Sequence, residues 1–318
     1  VDFTRWPINQ YQFKEDTIMS NQTIYTKAFW SALRGNDDAY QDIRNYADAH
    51  GNIETPYEFQ LSYKDALKRE NLFRRIATVV STTSDEGKIH AITSTGTASW
   101  VGEHIAIPES ADTINQFTVD AYKLATLTRL KNTFVKDTKF NLEGYLRNEF
   151  AERFGRAEED AFINGDGLDM PTGILHDTKG ATVSVSTASI TYDDVLRLYF
   201  SLDKHKRKKA VWVMNDETAL TIKALRDPNG NPLWHPSENT ILDRPVEFSA
   251  HMPNIETSKK PLVFGDFSDY WIIERQPLMV KTLKEKYALD DMIGFSAYER
   301  LDGVLINPDA IQVLQITE

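Results

Sequence analysis

The chain contains no cysteine. That absence excludes a disulfide framework, a thiolate nucleophile and every cysteine-based metal site. No apolar run approaches the roughly 20 residues that a membrane helix needs, and the first segment, VDFTRWPINQYQFKED, lacks the apolar stretch of a signal peptide. The seven histidines (His50, His90, His104, His176, His205, His235 and His251) show neither H-x-H nor H-E-x-x-H spacing, and no G-x-S-x-G elbow marks a nucleophile. Nor is there a basic excess. Lys and Arg total 36 against 47 Asp and Glu, giving a formal charge of -11, which disfavours nucleic-acid binding as the main task because such affinity comes largely from neutralised phosphates. No catalytic residue, metal or cofactor is therefore expected. With 318 residues, 41% hydrophobic and 26% charged, the composition is that of one large or two modest globular domains.

The stretch 141–173, NLEGYLRNEFAERFGRAEEDAFINGDGLDMPTG, organises the rest. Leu142, Leu146, Phe150, Phe154, Ala157 and Ala161 recur at steps of three and four, which predicts one apolar stripe along a helix. Asn141 is placed to cap it, Glu143 suits the positive end of its dipole, and Gly165 and Gly167 end it. At 1.5 Å per residue the helix spans about 33 Å, enough to act as a spine. A phosphate-cradle reading of Asn164-Gly165-Asp166-Gly167 fails on direction, because such glycines must precede a helix N-terminus. Asp166 and Asp169 lie too close in one turn to be an acid and base pair with separate roles.

Around the spine, residues 1–50 carry Phe3, Trp6, Tyr11, Phe13, Phe29 and Trp30 on pieces too short to enclose a core. They need a surface to dock on, either of the same copy or of a neighbour. A helix is expected from Tyr63 to Ile76. Residues 79–127 then turn rich in Thr, Val, Ile and Ser with Gly87, Gly96 and Gly102, a strand-and-turn composition. Phe117, Val119, Ala121, Lys123, Ala125 and Leu127 alternate with mostly polar neighbours, predicting one half-buried strand. If 82–125 forms one hairpin, its arms of about 20 residues reach on the order of 65 Å, and a lone ribbon is marginal in water. Three short strands in an ordinary sheet is the other reading. Farther on, helices are expected over Asp193–Asp203 and Glu217–Leu225 and a buried strand over Val211–Met214, with a turn at Pro228-Asn229-Gly230-Asn231-Pro232. Strands over Trp271–Glu274, Met279–Leu283, Phe295–Arg300 and Val313–Ile316 are expected to return beside the spine helix. The run Lys204-His205-Lys206-Arg207-Lys208-Lys209 is the strongest local charge signal. It reads as a solvated surface, a nucleic-acid contact or a salt contact to an acidic patch on another copy.

The spine stretch with its A-F-I-N-G-D-G-x-x-x-P-x-G-I-L ending resembles the central helix and following turn of tailed-phage major capsid proteins with the Hong Kong 97-type fold. Further stretches agree in order: KAFWSALRG (27–35), GNIETPYEFQ (51–60), VWVMNDETALTIKALRDPNGNPLW (211–234), DRPVEFSAHMP (243–253) and FGDFSDYWIIER (264–275). The resemblance implies an α+β fold with an N-terminal arm (1–55), a peripheral domain carrying the spine helix (56–81, 126–175 and 266–318), an extended β-hairpin loop (82–125) and an axial domain (176–265).

It further implies self-assembly, as hexamers and pentamers, into an icosahedral virion shell, formed in the host cytoplasm, around double-stranded DNA bound without sequence specificity. The implied partners are a portal, a maturation protease and, as an open question, a decoration protein, with no membrane. Trp6, Phe13, Trp30, Trp100, Glu103, Ile105, Ile107 and Pro108 are the expected inter-subunit contacts. The family's type member joins a Lys to an Asn with help from a Glu; here Ile107, Asp291 and Tyr298 stand at those positions, so no autocatalytic cross-link is expected. An encapsulin-type or gene-transfer-agent shell is the variant reading, and a soluble hydrolase the competing one.

Overall fold

The computed structural model describes residues 23–44, 53–82, 87–94, 96, 98–101, 109–137, 139–226, 229–235 and 239–318. In chain order the helices are 23–33 (α1), Asp37–Arg44 (α2), Tyr57–Glu70 (α3), Phe73–Ile76 (α4), Asn132–Lys136 (α5), Leu142–Asn164 (α6), Tyr192–Ser201 (α7), Lys204–Arg207 (α8) and Asp216–Ala224 (α9). The strands are Thr78–Ser81 (β1), Lys88–Ser94 (β2), Thr113–Thr118 (β3), Tyr122–Lys131 (β4), Thr182–Thr187 (β5), Val211–Met214 (β6), Trp234–His235 (β7), Thr240–Ile241 (β8), Arg244–Phe248 (β9), Leu262–Gly265 (β10), Tyr270–Leu283 (β11), Met292–Leu305 (β12) and Ile311–Ile316 (β13). They gather into two compact units, each drawn from three separate stretches.

The first unit comprises 1–67, 124–154 and 277–299. Its core joins Phe29 and Leu33 of α1, Ile43 of α2, Phe59, Tyr63 and Leu67 of α3, and Phe295 and Ala297 of β12 to Leu142, Leu146, Phe150 and Phe154 of α6. Asn141 caps α6 as expected, accepting from the Gly144 amide at 2.9 Å. The turn before it is fixed by Arg34, whose guanidinium donates to the carbonyls of Val135, Asp137 and Phe140 at 2.8, 3.0 and 2.7 Å. At 23 residues, α6 is about 35 Å long.

The second unit comprises 68–123, 155–276 and 300–318. Its centre is a seven-stranded sheet in the order β5-β13-β10-β6-β9-β8-β7. Period-two alternation sends successive residues to two cores. Trp212 and Met214, Leu262 and Phe264, and Leu314 and Ile316 face one cluster with Val195 and Leu198 of α7 and Ile222 of α9. Val213, Val263, Ile311 and Val313 face another with Phe73, Phe162, Ile163 and Tyr270. Burial on both faces explains the unbroken apolar runs VWVM and LVFG. Thr191 closes a capping box at α7, and Asn215 caps α9 by accepting from the Thr218 amide at 2.8 Å.

Several expectations need correction. The helix expected over Tyr63–Ile76 starts at Tyr57, directly after Pro56, and breaks at Asn71, whose side chain turns back to accept from the Arg74 amide. The predicted strand through Phe117–Leu127 is two strands. The chain breaks at Asp120, where the amide donates to the Asp302 carboxylate at 2.7 Å, and the inward phase shifts from the odd residues to Tyr122, Leu124, Thr126 and Thr128. The helix stripe misses at one position: Ala157 is exposed while Glu158 and Glu159 are buried, and Ala161 is buried as expected. The strand expected over Val313–Ile316 does not simply lie beside the spine helix. β13 runs between β5 and β10 in the seven-stranded sheet, and only its Ile311 and Val313 face shares a cluster with Phe162 and Ile163.

Candidate functional site

The Gly-rich turn after α6 is filled with backbone. A Cβ on Gly165 would lie 2.0 Å from the Pro171 carbonyl oxygen, and one on Gly173 would lie 2.5 Å from both the Ile163 oxygen and the Gly165 nitrogen. Gly173 and Ile174 donate to the carbonyls of Gly165 and Phe162, tying the turn back onto the helix end. This is a helix stop whose glycines are required by close backbone approach. Gly173→Ala, which presses a methyl between two backbone segments that cannot swing away, is expected to destabilise by about 1–3 kcal/mol, read as a lowered urea midpoint. Among the described residues no group of His, Asp or Glu is arranged to hold a metal ion.

The hairpin between the two ends of the 82–125 region is a separate two-stranded ribbon, β2 with β3. Its described ladder runs from Lys88↔Thr118 to Ser94↔Thr113, with a register shift after Ile92. Opposed pairs alternate between faces. Ile89↔Phe117 and Ala91↔Asn115 occupy one face, where Ala91 is buried; His90↔Gln116 and Ile92↔Ile114 occupy the other. Ile92 and Ile114 are 56% and 62% exposed. Two large aliphatic side chains directly opposite each other and open to water form an apolar strip on a ribbon with no core of its own. Trp100 is likewise fully exposed, with Val101 beside it in sequence.

Both roots of this ribbon are pinned to strands of the second unit. On the first side β1 pairs in parallel with β11 over Thr78↔Trp271 to Ser81↔Glu274, Thr78 Oγ1 donates to the Ser268 carbonyl at 2.7 Å, and the Thr82 amide donates to the Glu274 carbonyl at 3.0 Å. On the second side the Val119 amide reaches the Gly87 carbonyl at 2.7 Å, and Asp302 accepts from the amides of Asp120 and Gly303, each at 2.7 Å. Tyr122 Oη donates to the Gly167 carbonyl at 3.0 Å. Burial and the neighbouring Asp302 and Asp120 carboxylates push this phenol up to about 12, so it stays a donor at ordinary pH.

Burial pushes the Asp302 carboxyl up to about 6, against the two amide hydrogen bonds, which lower it. The folded form therefore holds a proton that the unfolded chain releases between pH 4 and 6. Stability from this group is full below the unfolded value and is lost as pH rises through about 6. Asp302→Asn removes the effect. The stability of the natural chain minus that of the variant is expected to fall by about 1–3 kcal/mol between pH 4 and pH 7, at 1.36 kcal/mol per unit, measured by urea unfolding at each pH.

Deeper in the second unit, Arg74 forms a buried ionic hub. Its Nε and second amino nitrogen reach the two Glu158 oxygens at 2.9 and 2.5 Å, and its other amino nitrogen pairs with Glu274. Asn71 adds a hydrogen bond to Glu158 at 3.1 Å. The adjoining Glu159 accepts from the Leu72 amide and from Ser249 Oγ. These contacts are why two glutamates replace apolar residues on the inner side of α6.

Of the expected contact residues, Trp6, Phe13, Glu103, Ile105, Ile107 and Pro108 lie outside the described residues. Trp30 is half-buried within its own unit, edge-on to Phe59 at 5.0 Å, and its indole N–H is a buried donor without a partner among the described residues. Asp291 is exposed, left-handed at φ 51°, and accepts from Asn132 Nδ2 at 3.1 Å. Tyr298 is half-buried under the Lys281 ammonium, 5.6 Å from its ring centre. Ile92 and Ile114 were missed, although the letters place apolar residues there; their pairing depends on a register that only the fold sets.

The basic run forms α8 and the turn into β6. Asp203 caps it, accepting from the His205 amide at 2.8 Å. Lys206 pairs with Asp269, and Arg207 Nε donates to the Leu202 carbonyl at 2.7 Å while its guanidinium covers the rings of Tyr199 and Phe200 at 5.4 and 5.1 Å. Lys204, Lys208 and Lys209 stand exposed.

Comparison with known proteins places this architecture. The model of the phage capsid family matches residues 36–316. A probable major capsid protein, gp17 of Mycobacterium phage D29, is 28% identical over 185 residues, covering 54% of this chain and 57% of that protein. The major capsid protein of Klebsiella oxytoca phage phiKO2 is 21% identical over 288 residues, covering 85% of this chain and 67% of that one. The chain thus spans somewhat over half the length of the D29 relative. Among solved structures, the capsid of an empty GTA particle computed with C5 symmetry is 28% identical with a TM-score of 0.66, covering 77% of this chain and 89% of that one. A chain from Mycobacterium phage Bobi, 17% identical with a TM-score of 0.54 over 77% of this chain and 90% of that one, shares the fold. The fold is the α+β arrangement of the Hong Kong 97 type, and no helix among the described residues is long and apolar enough to cross a membrane. A family model that fits all but the ends of the chain, on a fold shared with capsid chains, makes this protein a member of the phage capsid family.

Proposed function

We propose that this chain is the major capsid protein of a tailed phage, assembling as hexamers and pentamers into the shell that encloses double-stranded DNA in the virion. The observation that carries the reading is the Ile92–Ile114 strip, apolar and open on a ribbon that pairs with no other strand among the described residues. Closed shells need heterologous contacts in which one surface of a copy meets a different surface of the next, and many modest contacts repeated around each copy combine into a stable particle. The ribbon serves as the extended loop, residues 1–55 as the arm, and the divisions 56–81, 126–175 and 266–318, and 176–265, as peripheral and axial domains. The portal and the maturation protease are the expected partners. A gene-transfer-agent shell remains the second reading, favoured by the 28% identity to the GTA capsid.

Electron microscopy of the purified protein tests this. Shells or capsomer rings are expected; compact monomers at every concentration would overturn it. Trp100→Ala is expected to reduce particle yield several-fold while circular dichroism and the sedimentation of unassembled subunits stay unchanged. Equal loss of fold and assembly would count against an exposed contact role.

A further inference from the structure

We infer that the basic knuckle built from α8, its following turn and Phe200 is a second docking surface, one that seats on an acidic face of a neighbouring copy within the ring. The inference rests on the shell reading above. Three observations carry it, and the first is charge. Residues 204–209 hold five Lys and Arg, so the remainder of the chain carries -16. A second copy therefore offers a strongly acidic remainder for this one basic run to meet.

The second observation is that the knuckle is rigid. The Asp203 cap, the bond from Arg207 Nε to the Leu202 carbonyl, and those from the Lys209 and Ala210 amides to the carbonyls of Lys206 and Arg207 fix its backbone. Arg244 adds a hydrogen bond to the Lys208 carbonyl at 2.9 Å. Little ordering is left to be done on contact, a large share of what association costs.

The third is an aromatic anchor. Phe200 is 63% exposed, yet its ring is held by the guanidinium that also covers Tyr199. Aromatic residues and Arg are both enriched at the cores of protein interfaces. Lys206 and Arg207 are engaged inside the unit, whereas the exposed Lys204, Lys208 and Lys209 form no ion pair among the described residues and flank in sequence the arginine that holds Phe200.

The test uses the full chain. Lys204→Glu/Lys208→Glu/Lys209→Glu is expected to raise the concentration threshold for particle formation by about tenfold or more, with circular dichroism and the sedimentation of free subunits unchanged. The threshold of the natural chain should rise with added sodium chloride between about 0.05 and 0.5 M. Phe200→Ser, which keeps every charge, should raise the threshold and leave that salt dependence in place. Carbodiimide coupling of particles grown from mixed light and heavy-nitrogen subunits should join Lys204, Lys208 or Lys209 to an Asp or Glu of another copy. An unchanged threshold for both variants, couplings confined to single chains, or a loss seen only in binding of a fluorescent DNA duplex would overturn the inference. Natural subunits that form no particles would overturn the shell reading and this inference together; natural particles with indifferent variants overturn this inference alone.

Discussion

Arg74→Met is expected to cost the second unit about 3–5 kcal/mol. The guanidinium is 4% exposed and the Glu158 carboxylate it grips is 0% exposed. A thioether of similar length fills the space but leaves an ionised carboxylate sealed in the core, with Asn71 its remaining donor among the described residues. Glu274, also paired with Arg74, retains Ser81 Oγ at 3.2 Å and is less buried, so the damage centres on Glu158. The double replacement Arg74→Met/Glu158→Leu removes both charges and is expected to recover most of the loss, because a buried ion pair is worth little more than well-packed apolar groups of equal volume. Urea midpoints of the natural chain, the single and the double variant measure this directly. A single variant as stable as the natural chain would mean that the hub is solvated in solution.

The second large effect concerns assembly. Ile92→Lys/Ile114→Glu replaces the apolar strip by a cross-strand pair of opposite charges, which keeps the ribbon itself favourable. Burying a fully exposed aliphatic side chain is worth roughly 1.5–3 kcal/mol, so Ile92 and Ile114, 56% and 62% exposed, together account for about tenfold or more in each contact, repeated around every copy. The variant is expected to remain folded by circular dichroism and unassembled at concentrations where the natural chain closes shells. Normal shell yield from it would remove the strip from the list of contacts.

How far the letters reached follows from where each signal sits. The first half of α6 is local: Asn141, the stripe Leu142 to Phe154 and the terminal glycines lie within one stretch, and the fold agrees. Its second half is not local. Glu158 and Glu159 look like a solvated face until Arg74, 84 positions earlier than Glu158, is brought against them. The break at Asp120 has the same character, for the carboxylate that turns the chain there is Asp302, 182 positions away. The buried strands VWVM and LVFG were legible as apolar runs, but only the sheet order shows them buried on both faces. The family resemblance was legible because its motifs recur in order along the chain, and the match over 36–316 bears it out. The exposed strip was hidden by register, since a shift of one residue would turn Ile92 to the opposite face of the ribbon.

A cryo-electron reconstruction of particles grown from the purified chain decides whether the ribbon strip is a contact between copies. It is expected to show closed shells in which Ile92 and Ile114 of each copy are covered by side chains of a neighbour. Closed shells with that strip bare to solvent, or folded against its own chain, would contradict the account.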